Sequence, residues 1–165
     1  EHLFDIATAL AYQPLLKGNR IAILTNAGGP GVMATDALEK YGLSLATLTD
    51  ETREALASKL PAAASTQNPV DVLGDALAGR YQFAIDTVLD DPGVDIVLVL
   101  LTPQAMTQAT ETAQAMAEIL KRKRQKPVLA CFMGAVKVAE GQQILRAREG
   151  VRHLPGRGGG GGAGG

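Results

Sequence analysis

Tryptophan is absent from this 165-residue chain, cysteine occurs once and histidine twice. With Cys131 alone, no internal disulfide can form, which points to a reducing, cytosolic setting. His2 and His153 lie at opposite edges of the sequence pattern, and no His/Cys/Asp/Glu group has metal-ligand spacing, so a zinc site is not expected. Neither sign of charge dominates: the formal net charge is −1, with 46% of residues hydrophobic, which argues against both a polyanion partner and a disordered body. No apolar run approaches membrane-spanning length and no signal peptide is evident. The chain begins at Glu1 rather than methionine, so it is expected to be a piece of something longer. Its length suits one domain with a sizeable core.

What is there centres on RIAILTNAGGPGVMATDALEKYG, residues 20–42. The apolar run Ile21–Leu24 reads as a buried parallel strand turning polar at Thr25-Asn26. Ala27-Gly28-Gly29-Pro30-Gly31 then opens a helix, with Ala34, Ala37, Leu38 and Tyr41 on one face, Pro30 just inside its start and Gly42 just past its end. Strand, glycine turn and helix aim free N–H groups and a positive helix end at an anion. No Lys-Ser/Thr follows the glycines, so this is not a P-loop, and a third glycine is missing for a dinucleotide fingerprint. Two readings stay open: a tight turn needing glycine for geometry alone, or a phosphate site. In the second, Pro30 has no N–H, so the donors are Gly29, Gly31 and Val32, beside Asn26 and with Gly28 giving room.

Strands and helices alternate along the rest of the chain. A leading amphipathic helix over 1–14 shares Leu3, Ile6, Ala7, Leu10 and Ala11 on one face. Leu43–Leu48 is a short strand, and Thr49 or Asp50 caps a helix to about Leu60. Residues 61–75 form a long loop without periodicity, in which Asn68-Pro69-Val70-Asp71 is an extended turn. A helix over 76–89, a strong strand Val94–Leu101, a helix from about Thr107, a strand Pro127–Phe132, a helix over 136–148 and a strand near 150–154 complete the pattern. Together these predict a three-layer α/β fold, a flavodoxin-like doubly wound parallel sheet of about five strands in order 2-1-3-4-5. The divisions are a leading helix and connector (1–18), the flavodoxin-like domain (19–154) and a glycine-rich tail (155–165), disordered or non-native. The polar turns at the carboxyl edge of the sheet, carrying Asn68, Asp71, Thr102, Gln104 and Gly134, are the adjacent candidate loops.

Three other groups invite chemistry. Asp71 and Asp75 suit turn and cap roles better than a carboxylate pair. Cys131 lies inside an apolar strand and reads as core. The basic run Lys121 to Arg124 with Lys126 has no interleaved aromatics and reads as a solvated helix end. The chain has no catalytic set of its own.

The strings NRIAILTNAGGPGVMATDALEKYGL, LPAAASTQNPVDVLGDA, VDIVLVLLTPQAMT and KPVLACFMG together resemble the NDP-forming acyl-CoA synthetases, relatives of succinyl-CoA synthetase. The resemblance runs from the leading helix to about Gly150 and implies the second flavodoxin-like domain of a multidomain ligase. It implies an enzyme that interconverts acyl-CoA, NDP and phosphate with acid, CoA and NTP through a phosphohistidine carried on a neighbouring domain. It also implies that the helix after Gly28-Gly29-Pro30-Gly31 is one of two whose N-termini cradle that phosphohistidine, with phosphate or sulfate as the anion bound here. CoA, ATP or ADP and Mg would then sit mainly on other domains, with no cofactor held tightly by this one. The implied partners are the CoA-binding, phosphohistidine and nucleotide-grasp domains, with self-association as a further expectation. Neither histidine falls in a phosphohistidine motif, so the chain alone is expected to be inactive. The alternative is a ligand-sensing regulatory domain fused to an acetyltransferase, without ligase chemistry.

Overall fold

A computed structural model describes residues 18–123 and 125–133, with the backbone of 151–153. Its organising strand is β1 (Arg20–Thr25), in which every residue after Arg20 is fully buried. Burial on both faces is what an unbroken Ile-Ala-Ile-Leu run can satisfy, and it places β1 inside a parallel sheet. Helix α1 (Gly28–Lys40) follows after an extended N-cap, Ala27. It starts two residues earlier than the sequence suggested, because the Ala27 carbonyl already accepts a bond from the Gly31 N–H. Pro30 is therefore the third helical residue, where a missing N–H still costs nothing. The helix buries Gly31, Ala34 and Leu38, while Tyr41, expected on that stripe, is exposed. Gly42, at φ +75°, ends the helix: its N–H reaches the Glu39 carbonyl and the Leu43 N–H reaches Leu38. Only glycine adopts that left-handed conformation cheaply.

The chain continues through β2 (Ser44–Leu45), α2 (Asp50–Lys59), β3 (Val70–Asp71), α3 (Ala78–Leu89), β4 (Ile96–Leu101), α4 (Ala109–Arg122), β5 (Val128–Phe132) and β6 (Val151–His153). Thr49 caps α2 by accepting the Thr52 N–H, and Asp50 and Glu51 occupy its first turn, where the helix dipole favours anions. Helices α3 and α4 each begin two residues later than expected. In front of α4, the Thr107 hydroxyl accepts from the Gln104 N–H and donates to the Thr102 carbonyl, holding that stretch as a turn.

All strand pairs are parallel, in the order β2-β1-β4-β5-β6, with β3 pairing β1 off that path. The expected order 2-1-3-4-5 is present, with one strand more. The addition, β3, was hidden in the loop 61–75 because two residues carry no periodicity. Leu24 faces both Val70 of β3 and Val99 of β4, while β2 pairs with β1 only at Arg20 and Ile21. The outer neighbour of β1 is thus one strand in two pieces.

The core has two layers. One face of the sheet, with Ala22, Leu24, Val97, Val99, Val128 and Ala130, packs against α2, α3 and α4 through Leu56, Tyr81, Ile85, Val88, Ala113 and Met116. The other face, with Ile21, Ile23, Leu98, Leu100, Leu129 and Cys131, packs against α1 through Ala34 and Leu38. The expected helices over 1–14 and 136–148, His2 and the tail lie outside the described residues.

Candidate functional site

The turns expected at the carboxyl edge do meet there, but several of their polar side chains are committed to the fold. Asn26 is 2% exposed. Its carbonyl oxygen accepts from the Thr102 N–H and hydroxyl at 2.8 and 2.9 Å, and its amide donates to the Thr102 carbonyl at 2.9 Å. It fastens the end of β1 to the end of β4. Asn68 does the same on the other side of β1. It accepts from the Ile23 N–H at 2.9 Å and donates to the carbonyls of Ile21 and Ala46 at 2.7 and 2.9 Å. The Asn68–Pro69 peptide is cis, and the side-chain amide fills the break between β2 and β3 like a missing peptide group. Thr102 and Gln104 are joined to one another, the Gln104 amide donating to the Thr102 hydroxyl at 3.1 Å.

The start of α1 is what stays open. Gly28 and Gly29 are exposed, and their N–H groups find no backbone acceptor among the described residues. Such orphan donors at a positive helix end suit an anion. The N–H of Gly31 is spent on Ala27, and that of Val32 belongs to the helical ladder. The free donors are therefore Gly28 and Gly29: Gly29 was among the expected Gly29, Gly31 and Val32, and Gly28 stands in place of the other two. The glycines also divide by reason. A Cβ on Gly31 would lie 3.2 Å from Thr25 Cγ2 and 3.4 Å from Pro69 Cβ, so a side chain there would be tightly packed. A Cβ on Gly29 would meet nothing within 4 Å, and one on Gly28 only Asp71 Oδ2 at an ordinary 3.6 Å. Neither packing nor a positive φ demands glycine at those two positions.

Asp71 therefore flanks the helix start, its other oxygen accepting the Leu73 N–H at 2.8 Å. Leu73 adopts φ +73°, a conformation that costs an ordinary residue roughly 1–2 kcal/mol. Asp75 takes no part in a pair with Asp71: it bonds Arg80, whose guanidinium also reaches the Val72 carbonyl and holds the Asp75 carboxyl below its usual range. Gly134 lies outside the described residues.

Elsewhere among the described residues, several chemistry-bearing groups are committed to the fold. Burial pushes the Cys131 thiol up to about 11, so it is not a nucleophile at neutral pH. The basic run is more than a solvated helix end. Lys123 bonds Asp90 and the Asp86 carbonyl, Arg122 pairs with Asp86, and Lys126 donates to the Asp91 carbonyl, tying the end of α4 to the end of α3. Sequence reading missed Asp91, 1% exposed, which accepts from the Thr49 N–H and hydroxyl and from the Gly93 N–H. Burial opposes its charge, but these hydrogen bonds, with one from Thr52, prevail and hold its carboxyl below the usual value. A DPG turn gave no sign of it, because the bonded helix cap lies 42 residues away. Among the described residues no three or more His, Cys, Asp or Glu gather as a metal site, and no helix is long and apolar enough to cross a membrane.

Residues 21–154 match the Ligase-CoA domain family. The chain is 42% identical over 147 residues to acetate–CoA ligase [ADP-forming] I of Archaeoglobus fulgidus, covering 89% of this chain and 20% of that protein. It is 43% identical over 149 residues to the alpha subunit of acetate–CoA ligase [ADP-forming] II of Pyrococcus furiosus, covering 88% and 32%. A solved structure of Ca. Korarchaeum cryptofilum dinucleotide forming acetyl-coenzyme A synthetase 1, in complex with phosphate and ADP, superposes with a TM-score of 0.77 at 30% identity, over 90% of this chain and 32% of that one. The chain thus spans about a fifth to a third of the length of these relatives.

Proposed function

This chain belongs to the Ligase-CoA domain family, and from that premise we propose that it is the phosphate-facing domain of an NDP-forming acyl-CoA ligase. In that enzyme an acyl-CoA, NDP and phosphate are interconverted with the acid, CoA and NTP, through a phosphohistidine on a neighbouring domain. The part played here is electrostatic. The N–H groups of Gly28 and Gly29 and the positive end of α1 receive phosphoryl oxygens, and the absent side chains let those oxygens approach to hydrogen-bond distance. The observation that carries the reading is the pair of exposed glycines that neither packing nor backbone conformation requires.

The dipole contributes roughly 0.3–1 kcal/mol at an exposed end. Hydrogen bonds to a charged group add about 1.5–3 kcal/mol each. Half a cradle open to water therefore binds phosphate or sulfate weakly and in a salt-sensitive way. A second helix end on the facing domain would exclude water and strengthen each bond. The Asp71 carboxylate beside Gly28 disfavours a free dianion in the isolated domain, which is a further reason for weak binding. Nucleotide, CoA and Mg are assigned to other domains, and the whole enzyme to the cytoplasm.

The test is Gly29→Val in the intact enzyme. The side chain enters open space, so the fold is retained while phosphoryl approach is blocked, and histidine phosphorylation should slow by tenfold or more. Phosphorylation at the wild-type rate would reduce the glycine pair to a turn. Incubated alone with labelled ATP, the chain should take up no phosphate and make no thioester.

A further inference from the structure

At the amino edge of the sheet, Lys126 stands apart from the cations around it. Arg20 takes both oxygens of Asp95, at 2.8 and 2.9 Å, and Lys123 takes Asp90 at 2.6 Å and Asp86 at 3.0 Å. Lys121 pairs with Glu118. Lys126, half-buried just ahead of β5, has no ion pair among the described residues, and its Nζ donates to the backbone carbonyl of Asp91. Three carboxylates act on it from nearby, yet each is engaged elsewhere. Asp90 is held by Lys123 and Asp95 by Arg20. The Asp91 carboxylate is spent on the Thr49 N–H and hydroxyl and on the Gly93 N–H. The amine is thus partly withdrawn from water without the close carboxylate that would secure its proton. Burial pushes the Lys126 ammonium below its ordinary value; Asp91, Asp90 and Asp95 oppose the shift and the Arg20 guanidinium assists it. Lys123 is buried too, but its hydrogen bonds to Asp90 and Asp86 outweigh that and raise it.

We propose that Lys126 is an acylation site, its neutral amine taking an acyl group from an activated donor, an acyl thioester or an acyl phosphate. The geometry suits a nucleophile. The bond to the Asp91 carbonyl fixes the end of a flexible four-carbon stem, and in the neutral amine it leaves the lone pair free for attack. That pair attacks the acyl carbon, and the bond from carbon to sulfur, or to the phosphate oxygen, breaks. The departing thiolate or phosphate carries off the electron pair and takes up the proton that the nitrogen sheds. The product is an uncharged amide, and nothing is oxidised or reduced. Acylation removes a positive charge from an edge where Asp90, Asp91 and Asp95 gather. It does so at the end of the sheet opposite the glycine corner, which follows the carboxyl end of β1. The supply of donor rests on the ligase reading, whereas the reactivity of Lys126 rests on its own surroundings.

The full chain should be incubated at pH 7.5 with acetyl-CoA and, separately, with acetyl phosphate, and the acetylated lysines localised by tandem mass spectrometry. With one donor or both, Lys126 should react at least fivefold faster than Lys121 and Lys123. A lead with both donors places the selectivity in the amine, and a lead with one names the source. The rate at Lys126 should also level off at a lower pH than that at Lys123. Arg20→Ala frees Asp95 to pair with Lys126 and should cut the lead at least threefold, at a temperature where circular dichroism shows the fold retained. Lys126 reacting no faster than Lys121 and Lys123 with either donor, or a lead that Arg20→Ala leaves intact, would overturn the proposal. Because the donor is added from outside, the ligase reading stands or falls separately, on Gly29→Val.

Discussion

Replacing Asn68 with alanine tests the most specific structural claim made for this domain. The side chain reaches three backbone groups of β1 and the segment after β2, and two of them, the Ile23 N–H and the Ala46 carbonyl, have no other partner among the described hydrogen bonds. The Ile21 carbonyl keeps its bond from the Ala46 N–H. Leaving a buried polar group unsatisfied costs about 1–3 kcal/mol, so two half-screened groups should cost about 2–4 kcal/mol. At about 2–4 °C per kcal/mol for a domain of this size, Tm should fall by roughly 4–16 °C. Asn68→Asp adds a signed control. The carboxylate still accepts from Ile23 but faces two carbonyls with no proton to offer, so folding favours its protonated form and raises its pKa. The stability deficit of Asn68→Asp should therefore shrink as pH falls towards the ordinary carboxylate value of about 4, where Asn68→Ala should show no such recovery. Thermal and urea unfolding of the chain at pH 7 and pH 4 measure both. A Tm within 1 °C of wild type for Asn68→Ala would refute the idea that the amide replaces missing strand pairing.

Three other perturbations separate packing from function. Gly31→Ala sets a gain in helix propensity against a tight contact with Thr25 and Pro69, and should be less favourable than Gly29→Ala. Gly29→Ala should be neutral or stabilising by up to about 1 kcal/mol. Equal effects in urea melts would contradict the division between the two glycines. Asn26→Ala should lower stability by an amount similar to Asn68→Ala, since it strands the Thr102 N–H and hydroxyl in a buried site while the Thr102 carbonyl keeps its bond from Thr107; no loss in the same melts would count against it. Asp91→Asn should cost about 1.5–3 kcal/mol at pH 7, through the loss of charge-assisted bonds to the cap of α2. Because the folded pKa of Asp91 is depressed, its contribution is present above the unfolded value near 4 and lost as pH falls through the folded value. The gap between wild type and variant should close below pH about 4, and a gap constant from pH 7 to 3 would rule out the charge as its source.

What could be read from the sequence was what nearby residues decide. Gly42 ends α1 through contacts with the preceding four residues, and Thr49 caps α2 through Thr52, so both were legible. The unbroken β4 run announced a central strand because its chemistry is uniform. Long-range commitments were not legible. Asn26 and Asn68 look like loop asparagines awaiting a ligand until Thr102, Ala46 and Ile23 are brought beside them, and the cations of the α4 end look available until Asp86 and Asp90 are. The glycine corner was legible as the start of a helix but not in register. A proline near a helix start suggests the first position, and here it holds the third.

The division of the outer neighbour of β1 into β2 and β3 also bears on how this domain coexists with others. An uninterrupted outermost strand would present a row of unpaired peptide groups on which any exposed strand of another α/β domain, or of a second copy, could template. Here each piece is two residues long, and a side chain occupies the interval between them. A protein assembled from several domains of similar architecture gains from such an interruption, because adjoining sheets are denied a seam along which to fuse.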